Sequence, residues 1–287
     1  MKVLITGDAG FVGRAFRRHL DGHDITGVDI VNGLDARDYF RTDDTHFDLV
    51  IHLAAVVGGR KKIEGEPLSL AVDLSIDAEM FGWALRTRPT RIIYFSSSAA
   101  YPTYLQTDTG RWNHWLTEDD INLQAVRNPD MTYGWAKLTG EMLASHARAE
   151  GLTVSVFRPF SGYGADQALD YPFPTFIARA KARQDPFQVW GTGTQARDFI
   201  HIDDIVRGAM AGMMDKVEVS NLCFGRATTF NELAAMCMKE AGYYAPIEHL
   251  EAEPVGVHFR VGDPTCMNNF YMPRIELEHG IRLAITE

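Results

Sequence analysis

A tyrosine and a lysine that could act together stand four residues apart, at Tyr133 and Lys137. Asp130 follows a proline and can cap a helix, and residues four apart share one face of that helix. An ammonium group within about 4–6 Å favours a phenolate, so Lys137 should lower the pKa of Tyr133 from its ordinary value of about 10. The pair therefore predicts a proton acceptor, with Tyr133 as the base.

A glycine-rich turn near the start of the chain could bind a phosphate. The apolar run Lys2–Thr6 leads into the spacing G-x-x-G-x-x-G, and a helical pattern follows over 15–20. Glycines in such a turn let the backbone approach a pyrophosphate and direct free N–H groups at the anion. The order of strand, turn and helix predicts a dinucleotide site at Gly7, Gly10 and Gly13.

Asp29 lies in a second strand pattern, at 25–30, about 20 residues after the glycine turn. A carboxylate at that distance can accept hydrogen bonds from the hydroxyls of an adenosine ribose. No Arg or Lys lies between Asp29 and Asp35, so the 2′-phosphate of NADP would lack an obvious partner. NAD is therefore the expected cofactor.

Strand patterns alternate with helical patterns along the first half of the chain. Buried-type strands are predicted at 48–55, 91–95 and 153–157, with a helix over 70–85. This alternation predicts a Rossmann-type, doubly wound parallel α/β sheet whose ligands bind at the carboxyl ends of its strands. Ser96, Ser97 and Ser98 directly follow one such strand.

The alternation weakens after residue 165, and the proline-rich segment 171–176 begins soon after. We expect an NAD-binding Rossmann domain over 1–165, with helical and strand returns near 195–240. Residues 166–194 and 241–287 are expected to form a small C-terminal α/β substrate-binding lobe. Segments 199–214 and 229–241 have helical patterns, and the polar stretch 102–128 is expected to form a lid or side loop.

Composition limits the classes of partner. The net charge of −10 disfavours nonspecific binding to nucleic acid or to an anionic membrane. No apolar run reaches the ~18 residues that a membrane span needs and no export signal is visible, so a cytoplasmic protein is expected. Cys223, Cys237 and Cys266 lack metal-ligand spacing and are expected to be free thiols. No metal site is expected.

Together these features resemble the extended short-chain dehydrogenase/reductase family of nucleotide-sugar epimerases and dehydratases. The resemblance covers nearly the whole chain and includes further motifs at 34–38, 52–55 and 195–204. It implies an NAD-dependent enzyme whose substrate is a nucleotide sugar. It also implies that Ser97, Tyr133 and Lys137 are the catalytic residues.

The same resemblance implies the ligand contacts. The cofactor would contact Gly7, Gly10, Phe11, Val12, Gly13, Asp29, Asp35, Ala36, Leu53, Ala54, Ala55, Tyr133, Lys137 and Phe160, and the substrate Val57, Ser97, Ser98, Ser161, Arg197 and Arg260. The two arginines are expected to hold the diphosphate, because guanidinium groups bind phosphates bidentately. The alternative for Arg197, and for Arg260 as well, is an ion pair with a neighbouring Asp.

Position 99 distinguishes reactions within the family. Two residues after the catalytic Ser or Thr, dehydratases and uronate decarboxylases have Glu and GDP-sugar 3,5-epimerases have Cys, whereas this sequence has Ala99. Alanine cannot transfer a proton. We therefore expect a 4-epimerase in which Tyr133 exchanges a hydroxyl proton while hydride passes to NAD and returns to the opposite face of a 4-keto sugar. The alternatives are a 4,6-dehydratase or 4-ketoreductase, and a catalytically idle NAD-binding scaffold or sensor.

Some positions depart from the family pattern. Ser161 replaces an asparagine that contacts the substrate phosphate, and Asp73 replaces an asparagine in the helix after the 52–55 motif. The Val57-Gly58-Gly59 sequence resembles the GDP-sugar branch, so the nucleotide stays open. The basic run 60–62 is expected to be a solvated loop, with a site for an acidic sugar such as a uronate as the alternative.

A homodimer is expected from two amphipathic helices that would form a four-helix bundle with their copies. One helix carries Met80, Phe81 and Trp83, and the other carries Leu138, Met142 and Leu143. The alternative is that these residues are only core packed against the sheet.

Overall fold

A computed structural model of the chain describes residues 1–107 and 114–286. The strands are β1 (Lys2–Thr6), β2 (Asp24–Val28), β3 (Leu49–His52), β4 (Ile92–Phe95), β5 (Val154–Pro159), β6 (Ser161–Tyr163), β7 (Phe187–Trp190), β8 (Ala196–His201), β9 (Val219–Leu222), β10 (Ala227–Thr229), β11 (Ile247–Leu250) and β12 (Phe259–Arg260). The helices are α1 (Phe11–His19), α2 (Ala36–Thr42), α3 (Arg60–Gly65), α4 (Ser69–Thr87), α5 (Tyr104–Thr107), α6 (Met131–Ala149), α7 (Pro172–Lys181), α8 (Ile202–Met214), α9 (Phe230–Glu240), α10 (Thr265–Asn268) and α11 (Leu277–Thr286). Short 3₁₀ turns lie at Ile30–Asn32, Ser98–Ala100 and Glu118–Asp120.

A six-stranded parallel sheet, in the order β2-β1-β3-β4-β5-β9, forms the centre of the protein. Strand β1 is buried on both sides: Val3 and Ile5 lie in one hydrophobic core and Leu4 lies in the other. Helices α1 and α8 contribute to the first core, whereas α2, α4 and α6 contribute to the second. The predicted fold class, a Rossmann-type doubly wound parallel sheet, is confirmed.

A second layer of structure is built from the later part of the chain. Its sheet has the order β10-β8-β12, with β6 pairing β8, and β11 pairs separately with β7. Helices α7, α9 and α11 pack around a third core that includes Phe176, Phe187, Leu233 and Ile281. Within the segment 195–240, α8 and β9 lie with the main sheet, whereas β8, β10 and α9 belong to the second layer.

The segment 199–214, predicted as one helix, is partly strand. Residues Ala196–His201 form β8, and helix α8 begins only at Ile202. The side chain of His201 caps that helix by accepting a hydrogen bond from the N–H of Asp203 at 3.2 Å. The periodicity of the sequence misplaced this boundary because β8 is stabilised by strands distant in sequence, β10 and β12 among them.

Part of the predicted dimer face is wrong. Met80, Phe81, Trp83 and Leu138 are at most 5% exposed, so they are unavailable to a second chain. The first three pack in the core between α4 and the main sheet, as the alternative interpretation held. Of the second helix, Leu143 is partly buried against the same core, and Met142 is 38% exposed.

The polar stretch 102–128 is ordered against the body of the protein wherever the structure describes it. Helix α5 begins it, and Leu116 forms a β-bridge with Gly262. Trp112, in the middle of the expected lid, lies outside the described residues.

Three features of the described ranges bear on the compositional predictions. The three cysteines are free thiols, as predicted. Over residues 1–107 and 114–286, no helix is both long and apolar enough to cross a bilayer. In the same ranges no group of three His, Cys, Asp or Glu side chains is placed to hold a metal ion.

Candidate active site

The glycine turn between β1 and α1 forms one wall of a cavity of about 570 Å³. Gly7 has φ +72°, a conformation that favours glycine, and a Cβ on Gly13 would overlap the carbonyl oxygen of Gly7. The first residues of α1 line the same wall, where backbone N–H groups have no partner within the helix. This wall therefore fits a pyrophosphate.

Asp29 and Asp35 differ in whether their carboxylates can accept a hydrogen bond from a ligand. Asp29 accepts the N–H of Ala9 at 3.1 Å and the N–H of Val31 at 2.9 Å, one on each carboxylate oxygen. Each oxygen can accept a second bond, which fits a ribose hydroxyl. Asp35 instead binds the guanidinium group of Arg37, and this hydrogen bond holds the pKa of Asp35 below its ordinary value.

Tyr133 and Lys137, which the sequence predicted to share one face of a helix, both line the cavity. The Lys137 ammonium lies 5.7 Å from the ring centroid of Tyr133 and 5.4 Å from that of Tyr94. Lys137 is only 3% exposed, and within the described part of the chain no oxygen accepts a hydrogen bond from its Nζ atom. A buried ammonium group with spare donors fits the ribose hydroxyls of a nicotinamide nucleotide.

Gly134 brings the start of α6 against the end of β4. The N–H of Asp130 donates to the carbonyl oxygen of Ala99 at 2.9 Å, and a Cβ on Gly134 would overlap that same oxygen. Ser97 caps the adjoining 3₁₀ turn by accepting the N–H of Ala99 at 3.1 Å. The hydroxyl proton of Ser97 is not used in that bond. The Tyr-Gly pair thus joins the predicted base to the predicted serine.

The predicted pKa direction for Tyr133 is wrong for the protein alone. Burial raises the pKa of the phenol well above its ordinary value, and the carboxylates of Asp73 and Asp77 raise it further. The sequence argument considered only the lysine on the same helix. It could not count the carboxylates that α4 brings to the other side of the phenol.

Asp77 is the centre of a buried hydrogen-bond network between four elements. Its carboxylate accepts the hydroxyl of Tyr94 at 2.6 Å and contacts Nε2 of His52 at 3.1 Å. Nδ1 of His52 lies 2.9 Å from the hydroxyl of Thr6. Because a Cβ on Gly140 would overlap the Tyr94 hydroxyl, that glycine lets α6 approach this network closely.

A group of charged residues, named here the arginine cluster, lines the same cavity: Arg60, Asp130, Arg197 and Arg260. Asp130 accepts bonds from Arg60 at 3.0 and 2.9 Å and from Arg260 at 2.6 Å. These arginines lower the pKa of Asp130 although burial raises it. Asp130 stands at the predicted cap position, but its side chain makes no cap hydrogen bond.

The basic run 60–62 is solvated only in part: Lys61 and Lys62 are exposed, as predicted, whereas Arg60 is not. It begins helix α3, and Arg60 points into the cavity wall, where Asp130 holds it. Lys61 pairs with Glu253 at 2.8 Å and lies 4.6 Å from the ring centroid of Trp190. The sequence did not predict these contacts because Asp130, the partner of Arg60, and Glu253, the partner of Lys61, lie far along the chain.

Within residues 1–107 and 114–286, Arg197 forms no ion pair with a neighbouring aspartate, so that alternative is wrong. Its guanidinium group donates to the carbonyl oxygens of Ala196 at 2.8 Å and Val255 at 3.2 Å. Asp198 instead accepts the N–H groups of Phe224 and other residues of the second layer. Burial, with the nearby positive charge of Arg260, lowers the pKa of Arg197 to about 9, so the group is still cationic at neutral pH.

Most of the predicted site residues line this one cavity: Gly7, Gly10, Phe11, Val12, Gly13, Leu53, Val57, Tyr133, Lys137, Phe160, Ser161, Arg197 and Arg260. The others lie outside its wall: Asp29, Asp35, Ala36, Ala54, Ala55, Ser97 and Ser98. Among these, Ser98 is buried in the 3₁₀ turn. The cavity thus joins the predicted cofactor end to the predicted diphosphate end, with Tyr133 on its wall.

Sequence reasoning missed two features of the site. Arg158 forms a buried bidentate ion pair with Glu141, at 2.9 and 2.7 Å, and Ser96 donates its hydroxyl to the same carboxylate. The sequence did contain a signal for this ion pair: the charged residue Arg158 directly continues the apolar strand pattern 153–157. Tyr171 lines the cavity near Tyr133, and burial raises its pKa. No motif marked this second phenol.

Comparisons with known proteins agree with this geometry. A profile of the NAD dependent epimerase/dehydratase family matches residues 3–222. GDP-mannose 3,5-epimerase of Arabidopsis thaliana is 26% identical over 99% of this chain and 81% of its own length. The dTDP-4-dehydro-6-deoxy-D-allose reductase of a Streptomyces species is also 26% identical, over 93% of this chain and 89% of its own.

A solved structure of MoeE5 with UDP-glucuronic acid and NAD matches 100% of this chain and 98% of its own with a TM-score of 0.82 and 26% identity. The predicted family and the predicted cofactor, NAD, are confirmed at the level of the family. Because the profile covers most of the sequence, this chain belongs to the NAD-dependent nucleotide-sugar epimerase/dehydratase family.

Proposed function

We propose that the protein is an NAD-dependent nucleotide-sugar 4-epimerase. One observation carries the proposal: the cavity wall, as far as the structure describes it, includes no Glu, Cys or His. Its carboxylates are already engaged, Asp130 by two arginines and Asp170 by the N–H of Gly59 at 2.8 Å. Dehydration and 3,5-epimerisation need a further acid or base beside the sugar, whereas 4-epimerisation needs one proton carrier.

The residues present fit NAD. The glycine turn would hold its pyrophosphate, Asp29 its adenosine ribose and Lys137 its nicotinamide ribose. When bound, the cofactor supplies reversible hydride acceptance. The chain itself positions the cofactor through the close packing of the glycine turn, because a side chain at Gly7 or Gly13 would overlap backbone atoms.

Proton transfer at the sugar hydroxyl is assigned to Tyr133. It would take the proton as the hydroxyl carbon is oxidised. It would return the proton after the 4-keto sugar has rotated within the site to present its opposite face. Ser97 would donate its free hydroxyl proton to the same oxygen. A positioned proton carrier of this kind contributes about 10²–10⁴ in rate.

The diphosphate of the substrate is assigned to Arg197 and Arg260. Both side chains are cationic, line the cavity and are fixed by hydrogen bonds within the protein. Guanidinium groups suit phosphate oxygens because their donors are coplanar. Val57, Ser98 and Ser161 remain proposed substrate contacts, of which Val57 and Ser161 line the cavity.

A 4-ketoreductase is the second candidate, because the same cavity serves it equally well. That reaction also needs one proton carrier, and Ala99 is no obstacle to it. A reductase must exchange its oxidised cofactor for a reduced one in each cycle, whereas an epimerase regenerates its cofactor. Net consumption of NADH therefore separates the two.

A panel of UDP-, GDP-, dTDP- and CDP-sugars, incubated with the NAD-bound protein and followed by NMR, tests the proposal. We expect one sugar to be converted to its C4 epimer without net change in NADH absorbance. Tyr133→Phe should abolish this conversion while NAD still binds. A 6-deoxy-4-keto product would overturn the proposal in favour of a dehydratase.

We also propose that the protein is a homodimer in which α4 and α6 pair with their copies. The residues available for this contact differ from those predicted. Trp135 and Met142 on α6 are 40% and 38% exposed, and Leu85 on α4 is 39% exposed. These apolar side chains lie on the two helices that flank one face of the main sheet.

A further inference from the structure

Asp130 is a buried carboxylate that joins three parts of the fold at the cavity. It is 5% exposed, and its oxygens accept hydrogen bonds from Nη2 of Arg60 at 3.0 and 2.9 Å and from Nη2 of Arg260 at 2.6 Å. Arg60 belongs to helix α3 and Arg260 to strand β12, whereas Asp130 directly precedes helix α6. One side chain thus connects both arginines to the helix that carries Tyr133.

The main chain of Asp130 is fixed as well as its side chain. Its N–H donates to the carbonyl oxygen of Ala99 at 2.9 Å, and its own carbonyl oxygen accepts the N–H of Gly134 at 3.0 Å. The next residue, Met131, has φ +58°, in the left-handed region that a non-glycine residue seldom adopts unless its surroundings impose it. The contacts of Asp130 therefore help to define where the first turn of α6 lies.

The negative charge of Asp130 does not by itself favour anion binding. A carboxylate among arginines cancels part of their attraction for an anion. Glu64, which also pairs with Arg60, is 46% exposed, whereas Asp130 is buried and binds two members of the arginine cluster. A carboxylate in that position offsets the cost of burying two guanidinium groups and fixes both at one point. Its placement therefore suits a residue that orients the arginines.

Arg260 keeps donors for a ligand while Asp130 holds it. Its Nε donates to the side-chain oxygen of Gln106 at 2.5 Å and its Nη2 donates to Asp130, whereas its Nη1 has no acceptor among the described residues. A guanidinium group has five N–H donors, so Arg260 can bind an anion without releasing Asp130. Gln106 is 1% exposed, and its amide nitrogen donates to two backbone carbonyl oxygens. Arg260 is thus held on two sides and can still bind a ligand.

An anion at the arginines can act on the predicted base through consecutive contacts. Arg260 binds the Asp130 carboxylate, and the carbonyl oxygen of Asp130 accepts the first hydrogen bond of α6. Tyr133 follows Asp130 by three residues, which is less than one helical turn. All three side chains line the cavity. The path from the arginine to the phenol therefore lies within one wall of the site.

We propose that Asp130 is a positioning residue that couples anion binding at Arg60 and Arg260 to the placement of Tyr133. A bound anion stabilises the orientation of the arginines, the arginines hold the carboxylate, and the carboxylate holds the first turn of α6. That the anion is the diphosphate of a nucleotide sugar rests on the proposed function. The coupling itself does not, because any diphosphate anion that the arginines bind should produce it.

Hydrogen exchange of the NAD-saturated protein tests this coupling. NAD is included so that the glycine turn does not compete for the probe, inorganic pyrophosphate. Mass spectrometry measures exchange of the amides in residues 130–134 with and without pyrophosphate, and calorimetry measures its Kd. We expect pyrophosphate to slow this exchange in the wild type by about fivefold or more, the lower end of ordinary coupling between two sites.

Asp130→Ala should remove this protection while pyrophosphate still binds, because the variant keeps both arginines and loses a negative charge beside them. Its Kd for pyrophosphate should be equal to or lower than that of the wild type. Unchanged protection in the variant, no protection in the wild type, or loss of pyrophosphate binding in the variant would each overturn the proposal. Asp130→Asn, which has nearly the same shape, should reduce the protection and takes the place of the alanine variant if that variant does not fold.

Asp166→Ala is the matched control. Asp166 also joins two arginines, Arg14 at 3.2 Å and Arg18 at 3.6 Å, but it lies between β6 and α7 and outside the cavity wall. This variant has the same change of charge and should keep the protection by pyrophosphate. An equal loss of protection in Asp166→Ala would assign the effect to net charge and would also overturn the proposal.

Turnover gives a second readout once the sugar panel has identified a substrate. Asp130→Ala should lower kcat by about tenfold or more, because a displacement of about 1 Å at reacting groups costs up to ~10²-fold, whereas its Kd for pyrophosphate should not rise. A variant that had merely lost folded protein would bind pyrophosphate with lower stoichiometry. Wild-type kcat in Asp130→Ala would contradict the proposal. Failure of the sugar panel with intact protection by pyrophosphate would reject only the proposed function.

Discussion

At the scale of the residue, Arg158 and Glu141 form the most buried ion pair near the site among the residues that the structure describes. Their side chains are 3% and 2% exposed, and two hydrogen bonds join them. Arg158 also donates to the hydroxyl of Tyr101 at 3.1 Å. The pair therefore links strand β5, helix α6 and Tyr101, which directly precedes the 102–128 stretch.

Glu141→Ala should destabilise the protein by about 3–5 kcal/mol, because it leaves a buried guanidinium group without its counter-charge. Urea unfolding at neutral pH measures this loss. The double variant Glu141→Leu/Arg158→Met should recover much of it. Asp44→Asn, at an exposed pair with Arg86, is the control and should change little. Equal losses at the two sites would contradict the assignment.

The predicted catalytic residues also show how far a sequence reaches at this scale. The four-residue spacing of Tyr133 and Lys137 correctly placed both side chains on one cavity wall, because helical geometry is local. The same spacing gave the wrong direction for the pKa of Tyr133. That direction depends on Asp73 and Asp77, which come from another helix.

At the scale of the element, the start of helix α6 is fixed by its contact with the 3₁₀ turn Ser98–Ala100. Gly134 permits this contact, since a Cβ there would overlap the Ala99 carbonyl oxygen and approach Cβ of Pro129 to 2.9 Å. The obstacle is largely backbone, which cannot swing aside as a flexible side chain does. The helix must move if the glycine is replaced.

Gly134→Ala should therefore lower kcat by tenfold or more, because a displacement of about 1 Å at reacting groups costs up to ~10²-fold. Steady-state kinetics on the sugar identified by the panel measures this effect. Gly65→Ala is the matched control, since nothing lies within 4 Å of a Cβ at that helical glycine. If both variants kept wild-type kcat, the contact would not position Tyr133.

Elements joined by distant partners were the ones that the sequence misjudged. Asp130 has the residue type and position of a helix cap, yet it binds Arg60 and Arg260, which lie 70 and 130 residues away. The last three residues of β8, 199–201, were likewise predicted as helix because the partners of this strand are remote. Capping and periodicity rules describe local alternatives, and a buried ion pair outweighs them.

At the scale of the whole molecule, the parallel sheet was predictable because each strand has a strong local pattern and each crossover is of ordinary length. The second layer was less predictable, since β6, β10 and β12 have only two or three residues each. We propose that the division into a cofactor domain and a substrate lobe follows these two layers. The main sheet then keeps α8 and β9, and β8, β10 and α9 join the lobe.

The homodimer is a prediction at this scale. Gel filtration at micromolar concentration should give a dimer, and Trp135→Glu should shift it to a monomer because a charge would replace the exposed indole on α6. Tyr244→Glu is the control, because Tyr244 is 87% exposed and lies outside both helices. A monomeric wild type, or a dimer that survives Trp135→Glu, would exclude this arrangement.

The arginine cluster has a consequence for inhibition. Three guanidinium groups stand against two carboxylates, Asp130 and the Glu64 that pairs with Arg60, so the cluster keeps a positive charge in excess that suits the negative charges of a diphosphate. With the proposed function, the diphosphate of the substrate provides this negative charge whatever sugar is attached to it. Free nucleoside diphosphates are then competitive inhibitors, and discrimination between sugars falls to the uncharged contacts near Tyr133.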